Sequence, residues 1–151
     1  MVWFARSSSK FPRSRKVTDQ RSHDRPLKGM RILIAEDEFL ITATIEETLE
    51  NAGAEVVTAA TLDAAIGAAE HEKVLSAAIL DIRLGRQTTE SVVDALSARA
   101  VPVVFYSGQP LPMSMKDKYP TLKILIKPAR QSELVTAIAE AIDTGSSSSH
   151  H

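Results

Sequence analysis

The chain has 151 residues, 44% hydrophobic and 25% charged, the balance of an ordinary soluble globular domain. It contains no Cys, which excludes disulfide frameworks, thiolate zinc sites and cysteine nucleophiles, and is compatible with a reducing cytoplasm. The formal charge of −1 conceals an asymmetry, because residues 1–28 carry +6 and residues 29–151 carry −7.

Residues 1–28 are rich in Arg, Ser and Lys and show neither helical nor strand periodicity. They read as a basic extension with little capacity to form a core, in which Trp3, Phe4 and Phe11 are candidates for docking on a surface. No apolar run approaches the ~18 residues of a membrane span. The basic start also lacks the apolar segment of a secretory signal, so a cytoplasmic domain is expected. The body is expected over residues 29–143, followed by a tail (144–151) that resembles a linker running into an affinity tag.

Within the body, Arg31–Ala35 is an apolar run that stops abruptly at acids, as a buried parallel strand would. Glu38–Ala52 carries Ile41, Ile45 and Leu49 near helical spacing, with Gly53 at the stop position. Glu55–Ala59 is a weaker, more polar strand suited to an edge, and Thr61 can cap a helix through about Glu70. Val74–Leu80 reads as a third strand, ending at Asp81. A loop containing Gly85 leads to a helix from Thr89 to about Arg99. Pro102–Tyr106 and Leu122–Ile126 are the fourth and fifth strands, and Ser132–Ile142 closes the body as a helix. Pro110, Pro112 and Pro120 leave room only for a short helix between those two strands.

Five strands alternating with helices predict an α/β fold with a parallel sheet covered on both faces. Right-handed crossovers favour the strand order 2-1-3-4-5. In that order the first and third strands are neighbours, and ligands bind beyond the carboxyl ends of the strands. Glu36, Asp37 and Glu38 follow the first strand and Asp81 the third, so Asp37 and Asp81 can share one small cation. Magnesium suits such carboxylates, since it takes one or two of them, keeps waters and accepts phosphate oxygens. Ser107 follows the fourth strand and Lys127 the fifth, supplying a hydroxyl donor and a compact cation for phosphoryl oxygens. Asp81 is the candidate nucleophile for an aspartyl phosphate. Singly, each residue has a plainer reading: Asp37 as a helix cap, Ser107 as turn chemistry, Lys127 as surface. It is their placement at four strand ends that points to one site.

The segments ILIAEDE (32–38), AAILDIRLG (77–85), VVFYSG (103–108) and ILIKPA (124–129) resemble a response-regulator receiver domain of two-component signalling, over about residues 30–143. The resemblance implies a flavodoxin-like receiver fold and phosphorylation of Asp81 by a histidine kinase or histidine phosphotransfer protein. It further implies Glu36 and Asp37 as the acidic pair around Mg2+, with Asp37 a direct ligand and the backbone carbonyl of Arg83 another. Ser107 and Lys127 are implied to contact the phosphoryl group, and the Lys127–Pro128 bond to be cis. Receivers usually carry an aromatic three residues before that Lys; here it is Ile124. Together with DALSARAVPVVFYSGQP (94–110), this is similar to alphaproteobacterial single-domain receivers with a PFxFATGY-type fourth strand. Arg83 and Gln109 sit where family members modulate water access to the phosphoryl group, and Arg83 either shields that group or points into solvent.

The expectation is therefore a stand-alone receiver, not an enzyme acting on a separate substrate. Its partners are a kinase or phosphotransfer protein and an unknown downstream protein, with no DNA-binding domain. A phosphorylation-independent binding module on the same fold is the alternative. An aspartyl-phosphate phosphatase would need an acid at Arg83, and a nucleotide binder a glycine-rich loop where AEDEFL stands.

Overall fold

The computed structural model describes residues 25–149; Trp3, Phe4, Phe11 and the terminal histidines lie outside the described residues. Strands β1 (Arg31–Ala35), β2 (Glu55–Ala59) and β3 (Ala77–Leu80) alternate with helices α1 (Phe39–Asn51) and α2 (Leu62–His71). A small hairpin of β4 (Arg83–Leu84) and β5 (Gln87–Thr88) precedes α3 (Glu90–Ala98). Strand β6 (Val103–Ser107), helix α4 (Met113–Lys118), strand β7 (Lys123–Ile126) and helix α5 (Gln131–Ser149) complete the chain. The main sheet is parallel in the order β2-β1-β3-β6-β7, which is the predicted order with the hairpin strands counted between the third and fourth.

The apolar runs become strands because both faces of a parallel sheet are covered. Ile32 to Ala35 are all without solvent exposure. Alternation sends Leu33, Ala35, Ala78 and Leu80 into one core with Ala65 and Ala69 of α2 and Val92 and Leu96 of α3. Ile32, Ile34, Ala77 and Ile79 enter the other, beneath Ile45 and Leu49 of α1 and Leu134 and Ile138 of α5. Thr61 caps α2 by accepting the Ala64 N–H at 3.1 Å. The far end of α2 is closed by Arg99, whose guanidinium donates to the carbonyls of Ala69 and Glu72, each at 2.6 Å.

Four boundaries differ from the sequence reading by more than one residue, and the fourth strand shifts by one so that Ser107 is its last residue and does not follow it. Leu27 falls in the segment read as arm, yet it is fully buried in the α1–α5 core, and its N–H donates to the Ala52 carbonyl at 2.9 Å. The body therefore includes the turn at residues 25–29, which crosses Gly53 so closely that a Cβ there would sit 2.9 Å from the Lys28 backbone. Strand β3 starts at Ala77, because Val74 is 63% exposed and stays outside the sheet. The loop around Gly85 is a hairpin, and Gly85, at φ +62°, makes its tight turn. Helix α5 continues past Ile142 to Ser149, running through Gly145 despite the poor helix propensity of Gly.

Helix α4 is confined to six residues between Pro112 and Pro120. Its end is clipped to α3: Lys118 reaches Glu90 at 2.8 Å and Asp94 at 2.9 Å, and the Tyr119 hydroxyl donates to Asp94. Burial and the Asp94 acceptor push the Tyr119 phenol up to about 12, so it remains a donor at neutral pH.

Since Leu27 fills core volume, Leu27→Ala is expected to destabilise the domain by about 2–4 kcal/mol. Urea unfolding checks this, and an unchanged midpoint would place Leu27 outside the cooperative unit.

Candidate functional site

The register of the sheet brings the strand tips level. Ala35 pairs with Leu80, Leu80 with Phe105, and Ser107 with Ile126, so the residues at and just beyond each strand's end emerge along one edge. There the structure assembles Glu36, Asp37, Asp81, Ser107 and Lys127. Lys127 is the bridge: its Nζ donates to Glu36 Oε1 at 2.7 Å and to Asp81 Oδ2 at 3.0 Å. The second Glu36 oxygen accepts the Glu38 N–H at 3.0 Å, and Asp81 Oδ1 accepts the Ile82 N–H at 2.7 Å. Ser107 Oγ accepts the Gln109 N–H at 3.2 Å. Asp37, Asp81, Arg83, Ser107, Gln109 and Lys127 all line an open cleft of about 370 Å³.

Depth separates the two acids after β1. Glu36 is buried, and burial pushes its carboxyl above the usual carboxylate range despite the Lys127 and Glu38 hydrogen bonds; the Asp81 charge adds to the rise. Asp37 is exposed, and the Gly85 N–H, 2.9 Å from its Oδ2, holds it below that range. The plainer reading of Asp37 as a helix cap does not apply, because Glu38 occupies the N-cap of α1. Burial opposes the Lys127 charge, but Glu36 and Asp81 outweigh it and keep the ammonium above its ordinary value.

Carboxylate oxygens of Glu36, Asp37 and Asp81 lie within 4.8 Å of one another. Three hard oxygen donors that close fit a divalent cation, and the two aspartates line the open cleft while Glu36 lies buried behind them. Arg83 belongs to the cleft through the hairpin, and its residue is exposed.

Thr89, read from the sequence only as a helix start, does more. It is fully buried, and its hydroxyl donates to the Asp81 carbonyl at 2.7 Å and the Ile82 carbonyl at 3.2 Å. It therefore fixes the backbone on which the Asp81 carboxylate is mounted instead of capping α3. Tyr106, the penultimate residue of β6, also reaches this edge: its hydroxyl accepts the Ala129 N–H at 3.1 Å. The Lys127–Pro128 bond is cis.

Residues 32–139 match the family described as the response regulator receiver domain, which is most of the chain. The chain belongs to this family. Solved structures agree on the fold. A response regulator receiver protein from Sinorhizobium medicae WSM419 is 24% identical with a TM-score of 0.69, covering 79% of this chain and 98% of its own. A CheY-like receiver domain protein from Methanospirillum hungatei JF-1 is 22% identical with a TM-score of 0.71, over the same 79% and 98%. A receiver domain protein from Clostridium thermocellum gives 22% and 0.65, covering 76% and 95%. Among curated proteins no sequence match is found. Receiver domains serve two-component signalling: they are phosphorylated on Asp, generally bind Mg2+ through an acidic pocket, and interact with histidine kinases or phosphotransfer proteins. In this receiver, no helix among the described residues is long and apolar enough to cross a membrane.

The charge balance has a measurable signature. Carboxyl carbon NMR is expected to show Glu36 titrating above the ordinary glutamate range. Removing its ammonium partner by Lys127→Met should move that midpoint higher still, because Lys127 stabilises the ionised form. A midpoint that stays or falls would show that Lys127 does not pair with Glu36.

Proposed function

We propose that this receiver accepts a phosphoryl group on Asp81 from a histidine kinase or a histidine phosphotransfer protein in a magnesium-dependent reaction. It then signals through contacts with a downstream protein or by relay. The supporting observation is the Lys127 ammonium spanning Glu36 and Asp81 in a cleft that Ser107 also lines.

In this reading an Asp81 carboxylate oxygen attacks phosphorus while the bond from phosphorus to the donor atom breaks, the donor keeping the electron pair. Lys127 exchanges its Asp81 contact for a phosphoryl oxygen and retains Glu36. Ser107 donates its hydroxyl proton in a hydrogen bond to another phosphoryl oxygen. Asp37, Asp81 and the Arg83 backbone carbonyl would hold magnesium beside Glu36, and the bound ion supplies positive charge against the carboxylates and phosphoryl oxygens. Thr89 holds the Asp81 backbone still through these changes. The chemistry begins and ends on the chain's own Asp81, so no separate substrate is turned over. Two features support placing this receiver with the alphaproteobacterial PFxFATGY-type group: Ile124 stands where the aromatic switch usually is, and α4 is only six residues long.

Incubation with acetyl phosphate and Mg2+, read on a phosphate-affinity gel, is expected to shift the wild-type band, and Asp81→Asn should abolish the shift. An equal shift in the variant would put the phosphoryl group elsewhere; no shift in either protein would favour a phosphorylation-independent binding module. Asp37→Asn is expected to weaken magnesium binding in a calorimetric titration, and unchanged affinity would remove Asp37 from the ligand set.

A further inference from the structure

We infer that Tyr106 is a positioning residue for Lys127: its phenol hydroxyl fixes the turn that carries Lys127 and thereby sets where the ammonium reaches. The kinetic part of this inference rests on Asp81 as the phosphoryl acceptor; the structural part does not.

Tyr106 precedes Ser107 in β6, so strand alternation sends their side chains to opposite faces. Tyr106 is 8% exposed and belongs to the core beneath α1 and α5. A buried phenol oxygen requires a partner, and this one accepts the Ala129 N–H at 3.1 Å. The Lys127 N–H donates to the Ser107 carbonyl at 2.9 Å. Pro128, between them, has no N–H. Both amide donors of the 127–129 turn therefore end on two consecutive residues of β6. Meanwhile the Tyr106 ring centroid lies 5.7 Å from Lys127 Nζ, within reach of a weak cation–π attraction. One side chain thus holds the turn beyond Lys127 and flanks the Lys127 head.

Core packing alone does not explain the hydroxyl, since Phe would fill the same volume. Nor does the position three residues before Lys127 supply an aromatic, as Ile124 occupies it and packs into the opposite core. The aromatic contact to the lysine segment comes instead from the neighbouring strand, on the α5 side.

The test compares Tyr106→Phe with Val104→Ala in the full chain. Val104 lies in the same core and on the same face of β6, so it controls for general loosening. Tyr106→Phe is expected to speed hydrogen exchange at the Ala129 amide about fivefold relative to amides of β3, the scale of one lost hydrogen bond. It should also raise acetylation of Lys127 by acetic anhydride, quantified by mass spectrometry. Phosphoryl uptake from acetyl phosphate should slow by a similar factor at an unchanged magnesium midpoint, while Val104→Ala leaves uptake near the wild-type rate. Unchanged Ala129 exchange and Lys127 labelling in Tyr106→Phe would overturn the inference, as would equal slowing by both variants. If the wild type takes up no phosphate, the Asp81 reading fails, and the exchange and labelling results still decide the role of Tyr106.

Discussion

Everything at the carboxyl edge of this sheet depends on one ammonium group held between two carboxylates. Glu36 is buried deeply enough that its charge is costly, and Asp81 stands close enough to repel it. Lys127, arriving from β7, offsets both. A charge removed from water is tolerable when paired and hydrogen-bonded, and removing one partner leaves the others exposed to the full cost. The pair joins residues 91 positions apart in sequence, so the site exists only when the sheet has closed in its final order.

The rest of the molecule can be seen as keeping that edge level and stiff. Parallel pairing with matched register delivers the tips of β1, β3, β6 and β7 to a common height. Thr89 anchors the Asp81 backbone from below, while the Gly85 N–H ties Asp37 to the hairpin. The Lys118 and Tyr119 clip holds the short α4 against α3. The Thr89 and Gly85 bonds act directly on the backbone of Asp81 and the carboxylate of Asp37.

Much of this was legible in the sequence because strand runs and their terminating residues are local signals. The runs at residues 31–35 and 102–106 announce themselves by apolarity, and the acids after the first and Ser107 after the other mark the ends. The order of the sheet follows from handedness rules once five strands are counted. What escaped is what no local periodicity reveals. Leu27 looks like part of a basic arm until the carbonyl of Ala52 and the α1–α5 core are in place. The two-residue strands of the hairpin are too short for any period to show. Thr89 resembles an N-cap, and only the fold reveals that its hydroxyl turns back to Asp81. Tyr106 reads as an ordinary apolar strand residue because nothing local shows that Ala129 lies opposite its oxygen.

The bond from the Gln109 amide to Ser107 has a directional consequence. With one lone pair of the hydroxyl oxygen engaged by a backbone donor, the torsional freedom of the O–H is curtailed and its hydrogen is left to point away from Gln109. In the proposed phosphoryl transfer, an anion reaching Ser107 would find fewer hydroxyl orientations to be searched as negative charge builds.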